Sequence, residues 1–357
     1  MTSKKWFVIL LSLTLVVVTA FGGMTYFLDP LLQYGKEPGN LNYRVYNEIY
    51  SNPGIAKNYD YNAVLVGSSM VENTNVSELD ELFGCKTIKV PYSGASSYNH
   101  KTILDVCFGS GNQIDYVFWA LDEYALTTDY MTPRYPLPDY LYDYDKTNDL
   151  SYLLNLDVFY FYSTKDIVNT IKGNKQIMMR DSKMRDSKGI STEGVYCKEN
   201  VLESFAYPME NKENKGELFY SENLRKNLDQ NILSLVDSHP ETTFVFYMVP
   251  YSIFYWYMEK QNGLIDADFY NVRTALGEIL SRRNTEVHFF QDEEEIITNL
   301  DNYRDYTHFK PEINSWMSKE IAKRTHVVGE YNYGEVLDGF KGYLLNFSYD
   351  SYYRLTN

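Results

Sequence analysis

The chain has 357 residues, 33 Lys plus Arg against 48 Asp plus Glu, and a formal charge of -15 at neutral pH. A protein this acidic lacks the basic stripe that phosphate binding needs, so a nucleic-acid protein is excluded. With 44% hydrophobic and 23% charged residues it is apolar enough for a sizeable core of one large or two small domains, and is no disordered acidic polymer. The compositional outlier is tyrosine, 35 residues, which with 19 Phe and 4 Trp makes the chain 16% aromatic. Aromatic surfaces suit sugars; half-buried packing accounts for the excess equally well.

In chain order, Lys4 and Lys5 precede an almost uncharged run from Trp6 to Leu28 that stops at Asp29 and Pro30. Twenty-three residues at helical rise cross a hydrocarbon core of about 30 Å. The run continues past the small residues near Val18 and Ala20 that a signal peptidase would need, which favours an uncleaved signal anchor over a secretory signal peptide. Lysines before the span put the amino terminus in the cytoplasm and the main domain outside, making a single-pass membrane protein. A polar linker fills 29–60. Strands then alternate with amphipathic helices: a strand at Ala63 to Val66, a short helix capped by Ser77, a strand at Thr87 to Val90, a helix from Ser97 to Phe108, and a buried strand at Ile114 to Leu121. From about 127 to 216 the rhythm breaks into an insertion with one helical stretch near Val158 to Ile171 and a tandem RDSKMRDSK. Periodicity resumes with a helix at Ser221 to Val236, a strand at Thr243 to Val249, a helix at Tyr270 to Arg282, a strand at Thr285 to Phe290 and a last helix after Pro311; a Tyr-rich tail occupies 331–357. The fold expected for 61–330 is α/β, a three-layer α/β/α sandwich with a five-stranded, mainly parallel, flavodoxin-like sheet. Its site would lie at the carboxyl ends of the strands.

Those ends hold informative residues. The first strand runs into Gly67, Ser68, Ser69 and Met70, presenting a serine where backbone amides and a helix start favour negative charge. The second ends in Tyr92, Ser93 and Gly94. Late in the chain Asp305 and His308 stand three apart, a spacing that lets a carboxylate orient an imidazole. Three cysteines, Cys85, Cys107 and Cys197, form no disulfide framework and no Cys/His cluster, so neither a metal nor a cofactor is expected; a Cys85–Cys107 bridge is conceivable, small buried hydrophobes the simpler account. His100 reads as a helix-surface histidine, and His239, His288 and His326 pair with no acid at catalytic spacing. Asp292 to Glu295 reads as a solvated acidic face.

In this order and with these flanks the sequence resembles the SGNH hydrolase superfamily, the GDSL esterases and lipases. The resemblance implies Ser69 as nucleophile, with Ser68 where the family often has Asp, Gly94 as the second-block glycine, and Asp305 and His308 as the remaining triad members. It departs where the family expects a third-block Asn: here Ala120 and Leu121 lead to Asp122, whose ionised carboxylate would repel an oxyanion. The oxyanion hole is then expected to rest on the amides of Ser69 and Gly94, with Asp122 or Asn99 as further donors only if Asp122 is protonated or Asn99 reaches the site. A lost third-block Asn and an anchored amino terminus resemble the extracytoplasmic members that act beside membrane-bound O-acyltransferases on polysaccharide or teichoic acid. The segment from Val249 to Tyr257 offers Pro250, Tyr251, Ser252 and Trp256, with Tyr92, as an acceptor-binding wall; ordinary aromatic packing explains it as well. The function implied is an acyl esterase or O-acyltransferase, chiefly for acetyl groups, acting on a cell-surface or secreted polysaccharide, with a multi-span O-acyltransferase as partner. The alternative is a catalytically weak accessory that binds glycan or docks on such a partner.

Overall fold

The computed structural model describes residues 2–35, 41, 45, 47–173, 195–204 and 210–350; part of the linker, the RDSKMRDSK repeat and the end of the tail lie outside them. Helix α1 (Ser3–Leu28) is long and apolar enough to cross a membrane, and it is exposed as far as Ala20, with Thr25 buried near its end.

Among the described residues six strands form one mixed sheet: β1 (Ala63–Val66), β2 (Thr87–Lys89), β3 (Tyr116–Leu121), β4 (Thr243–Met248), β5 (Thr285–Phe289) and β6 (Val327–Val328). Their order is β2-β1-β3-β4-β5-β6. The pairs from β2 to β5 are parallel, in register Val64↔Ile88, Val64↔Val117, Phe118↔Val245 and Phe246↔Val287. The expectation of five strands is therefore corrected by β6, an antiparallel edge strand paired only through Val287↔Val328 and His288↔Val327. Two residues carry no readable periodicity.

Alternation along the strands covers both sheet faces. Leu65, Phe118 and Tyr247 face Leu79 of helix α3 (Val76–Phe83) together with Met317 and Ile321 of the helix Pro311–Ala322. Trp119 points the other way, and its indole Nε1 donates to Nδ1 of His100 at 3.1 Å, in helix α4 (Ser97–Gly109). His100 is thus a core residue rather than the expected surface one, and burial lowers its pKa to about 4. Helix α3 starts two residues earlier than read, because its N-cap is Asn75, whose side chain accepts from the Ser77 amide, and not Ser77.

Two stretches expected to be irregular are helical. Within the linker, helix α2 (Glu48–Asn58) contains Pro53 and Gly54, both helix-breaking signals; Gly54 is required because the Leu31 carbonyl oxygen occupies the place a Cβ would take. Within the tail, Tyr333–Asn346 buries Leu337, Phe340 and Leu344 against the main core, its period masked by Gly339 and Gly342. All three cysteines are free thiols, Cys107 buried.

Candidate functional site

Strand order reverses direction between β1 and β3, and the crevice beyond their carboxyl ends is where such sheets hold ligands. After β1, Gly67 has no room for a side chain: a Cβ would lie 2.9 Å from both Ala120 Cβ and Val71 Cγ1. Ser68 is extended and its Oγ caps the Met70 amide at 3.3 Å. Ser69 then opens a single 3-10 turn, Ser69–Val71, rather than the α-helix expected there, so the negative charge it could develop meets local amides and no long helix dipole. The Tyr92 amide donates to the Gly67 carbonyl at 2.9 Å and fastens the second loop to the first. Gly94 sits at φ +62, the left-handed region, and a Cβ there would meet the Arg134 guanidinium at 3.0 Å.

The late acid–histidine pair comes to the same place. Ser69 Oγ lies 2.8 Å from His308 Nε2. His308 Nδ1 lies 2.8 Å from Asp305 Oδ2 and 3.0 Å from Oδ1. Asp305 Oδ1 also accepts from the His308 amide at 2.8 Å and from the Thr307 amide and hydroxyl, each at 2.9 Å. Burial alone would raise the Asp305 pKa, but the ring and charge of His308 and these two amides outweigh it and hold the carboxyl well below its usual range. An ionised carboxylate on Nδ1 leaves Nε2 free to accept a proton from Ser69, the arrangement that activates a hydroxyl for attack on a carbonyl.

A cleft of about 650 Å³ opens onto Ser69 and His308, a volume in the range of small-molecule sites. Ser69, Gly94, Tyr251 and His308 line it, as expected. Tyr92, Pro250, Ser252 and Trp256 do not: all four are buried. Ser252 Oγ donates to the Tyr306 carbonyl at 2.6 Å and the Pro250 carbonyl accepts from Tyr303 Oη at 2.8 Å, so these residues brace the loop that carries Asp305 and His308. Trp256 packs on Phe269 and Phe340 in the core. Asn99 is also buried off the cleft; it is the third residue of α4 and its Oδ1 accepts from the Ser96 amide and hydroxyl and the Arg134 amide.

Asp122, directly after β3, is fully buried. Tyr251 Oη donates to its Oδ1, while Oδ2 has no hydrogen-bond partner. Burial raises its pKa; the Tyr251 and Ser68 hydroxyls and the charge of His308 pull the other way. The carboxyl is thus hydrogen-bonded beneath the Ser69 loop and does not itself line the cleft.

Arg134, Tyr124, Tyr135, Tyr255, Glu72 and Arg304 line the cleft too and carry no motif in the sequence. Arg134 and Tyr135 come from the insertion. Its preceding backbone is held by the buried amides of Asn227, bonded to the Leu126 and Thr128 carbonyls, and of Asn231, bonded to the Tyr130 carbonyl. Both stand on the helix from Ser221, where the Leu228–Leu233 π-turn lies. Glu72 is buried and its pKa raised for that reason; its Oε1 accepts from Ser93 Oγ at 2.7 Å. Three other histidines lie within ion-pair distance of an acid: His288 with Glu286 at 2.8 Å, His326 with Glu293 at 3.5 Å and His239 with Glu241 at 3.7 Å. None of the three lines the cleft.

Comparison with protein-family models, with curated proteins and with solved structures finds no match for this chain.

Proposed function

We propose that the protein is a membrane-anchored, SGNH-like serine enzyme that transfers or removes an ester-linked acyl group, chiefly acetyl, on an extracytoplasmic polysaccharide. The observation that carries the reading is the Ser69–His308–Asp305 chain of contacts at 2.8 Å and 2.8 Å, with Ser69 and His308 lining one cleft. In this reading Ser69 Oγ attacks the acyl carbonyl as His308 Nε2 takes its proton, Asp305 holding the ring and balancing the imidazolium. The alkoxide leaves with the proton from His308, and acyl-Ser69 passes to water or a sugar hydroxyl; which acceptor enters decides between esterase and transferase. The amides of Ser69 and Gly94 serve the oxyanion. Two arginines, Arg134 and Arg304, and two glutamates, Glu72 and Glu259, line the cleft, so it has no pronounced single sign. That balance suits a neutral or weakly charged glycan. Helix α1 supplies the anchor, and Lys4 and Lys5 in its first turn set the domain outside the cytoplasm. The three-layer SGNH sandwich is the fold this reading assigns to the sheet and its helices. The test is release of acetate from an acetylated oligosaccharide or a simple phenyl acetate by the full-length chain in detergent, absent in Ser69→Ala.

A second reading, a weak or inactive accessory that binds glycan or docks on a membrane-bound O-acyltransferase, is favoured by one observation: a carboxyl, Asp122, stands where the family pattern has a neutral amide donor. Loss of polymer acylation in cells carrying Ser69→Ala at normal protein level and membrane placement counts against it.

A further inference from the structure

We propose that the segment 150–171 of the insertion lies in the boundary between headgroups and acyl chains beside α1, so that a second, non-spanning element seats the domain on the lipid. The proposal rests on the reading of α1 as a membrane span. Leu150, Leu156, Tyr160, Phe161, Val168 and Ile171 are 44% to 79% exposed. So many large apolar side chains on one short stretch exceed the scattered surface hydrophobes of a soluble domain.

What covers them follows from what the segment touches. The Phe159 ring lies 5.1 Å from that of Phe21. Leu154 Cδ2 is 3.3 Å from where a Gly22 Cβ would be. Phe21 stands fifteen residues beyond Trp6, about 23 Å along a helix, and a hydrocarbon core of about 30 Å that begins at Trp6 still encloses that level. Side chains packed against Phe21 and Gly22 therefore meet acyl chains rather than water.

The joint is built to hold that placement. At the end of α1, Asp29 accepts from the Gln33 and Tyr34 amides at 2.8 and 2.9 Å and from Tyr152 Oη at 3.0 Å. Tyr152 and Val158 bury their side chains with Leu31 and Leu141 in a small core of their own. One side of the segment is thus committed to protein and the other is left to the bilayer, with Lys172 exposed at its end to meet headgroups.

The test uses the full-length chain with Cys85, Cys107 and Cys197 replaced by Ala and single cysteines at Leu156, Phe161 or Ile171. Leu13, in mid-span, and Tyr331, 88% exposed, serve as references. Each is labelled with a polarity-sensitive nitrobenzoxadiazole and reconstituted alone into phosphatidylcholine/phosphatidylglycerol liposomes, with circular dichroism melts to verify folding. The proposal predicts loss of fluorescence on adding 5-doxyl lipid at Leu13 and at all three segment positions, and none at Tyr331. Quenching at Leu13 with segment labels that behave like Tyr331 overturns the proposal and leaves the span intact. Segment labels shielded from aqueous iodide yet untouched by doxyl lipid mark a contact with a second copy, which also overturns it. Absence of quenching at Leu13 removes the span, and the proposal with it.

Discussion

Ser69 Oγ and His308 Nε2 stand 2.8 Å apart although 239 residues separate them in the chain. The loop after β1 brings one, the loop before the helix from Pro311 brings the other, and Asp305 fixes the ring from behind through both carboxylate oxygens. If that carboxylate sets the tautomer, Asp305→Asn lowers kcat by about 10⁴-fold while leaving KM nearly unchanged. Steady-state kinetics on a phenyl ester checks it; a loss of less than about tenfold would mean that Asp305 has only a structural task.

Gly94 couples backbone conformation to the cleft wall. Its φ of +62 and the 3.0 Å approach of Arg134 leave no place for a methyl group. Gly94→Ala is expected to cost about 1 to 2 kcal/mol of stability through the left-handed backbone and to displace Arg134. Denaturant unfolding and KM are the readouts, and Arg134→Ala should reproduce the KM change without the loss of stability.

Asp122 is the site's least usual member. Burial favours its neutral form, but one oxygen is engaged by Tyr251 and the other has no partner. Asp122→Asn keeps the shape and removes a potential negative charge beneath the nucleophile loop. A negative charge there opposes a developing oxyanion, so kcat should rise, and by more as pH climbs through the raised pKa of the wild-type carboxyl. A fall in kcat at all pH values would show that the carboxyl itself is needed.

The dependence of stability on pH has two opposed contributors. Buried His100 has its pKa lowered from 6.5 to about 4, so between those values the unfolded chain binds a proton the folded chain does not. Stability is lost as pH falls through that window, by on the order of 3 kcal/mol. Glu123 behaves inversely: burial lifts it to about 8, even though Gln291 Nε2 donates to its Oε1 at 2.7 Å. Its folded form keeps a proton that the unfolded chain releases, so stability falls as pH rises from 4.5 towards 8. Melting curves of Glu123→Gln should match wild type near pH 5 and exceed it at pH 8; an unchanged difference across that range would refute the assignment.

Much of this was legible in the chain. Strands β3 and β4 are continuous apolar runs, because a central parallel strand is buried on both faces, and they stand out as such. Ser69, Gly94, Asp305 and His308 were legible because each sits where a strand or helix boundary exposes it. Helix α2 was hidden by Pro53 and Gly54, of which Gly54 answers to a tertiary neighbour, Leu31. His100 looked superficial because its partner, Trp119, lies on a separate element. Arg134 and Tyr135 sit in an aperiodic insertion whose path is set by Asn227 and Asn231 from a distant helix, which no local pattern reveals. The residues of the Val249 to Tyr257 segment had two readings, and all but Tyr251 and Tyr255 fall outside the cleft lining.

The central claim is that Ser69 is a nucleophile, and reaction of the full-length protein with a fluorophosphonate probe tests it most directly. The account predicts covalent labelling mapped by peptide mass to Ser69, abolished in Ser69→Ala and strongly slowed in His308→Ala. Folded protein that leaves Ser69 unlabelled under conditions where a known serine esterase reacts to completion would contradict it.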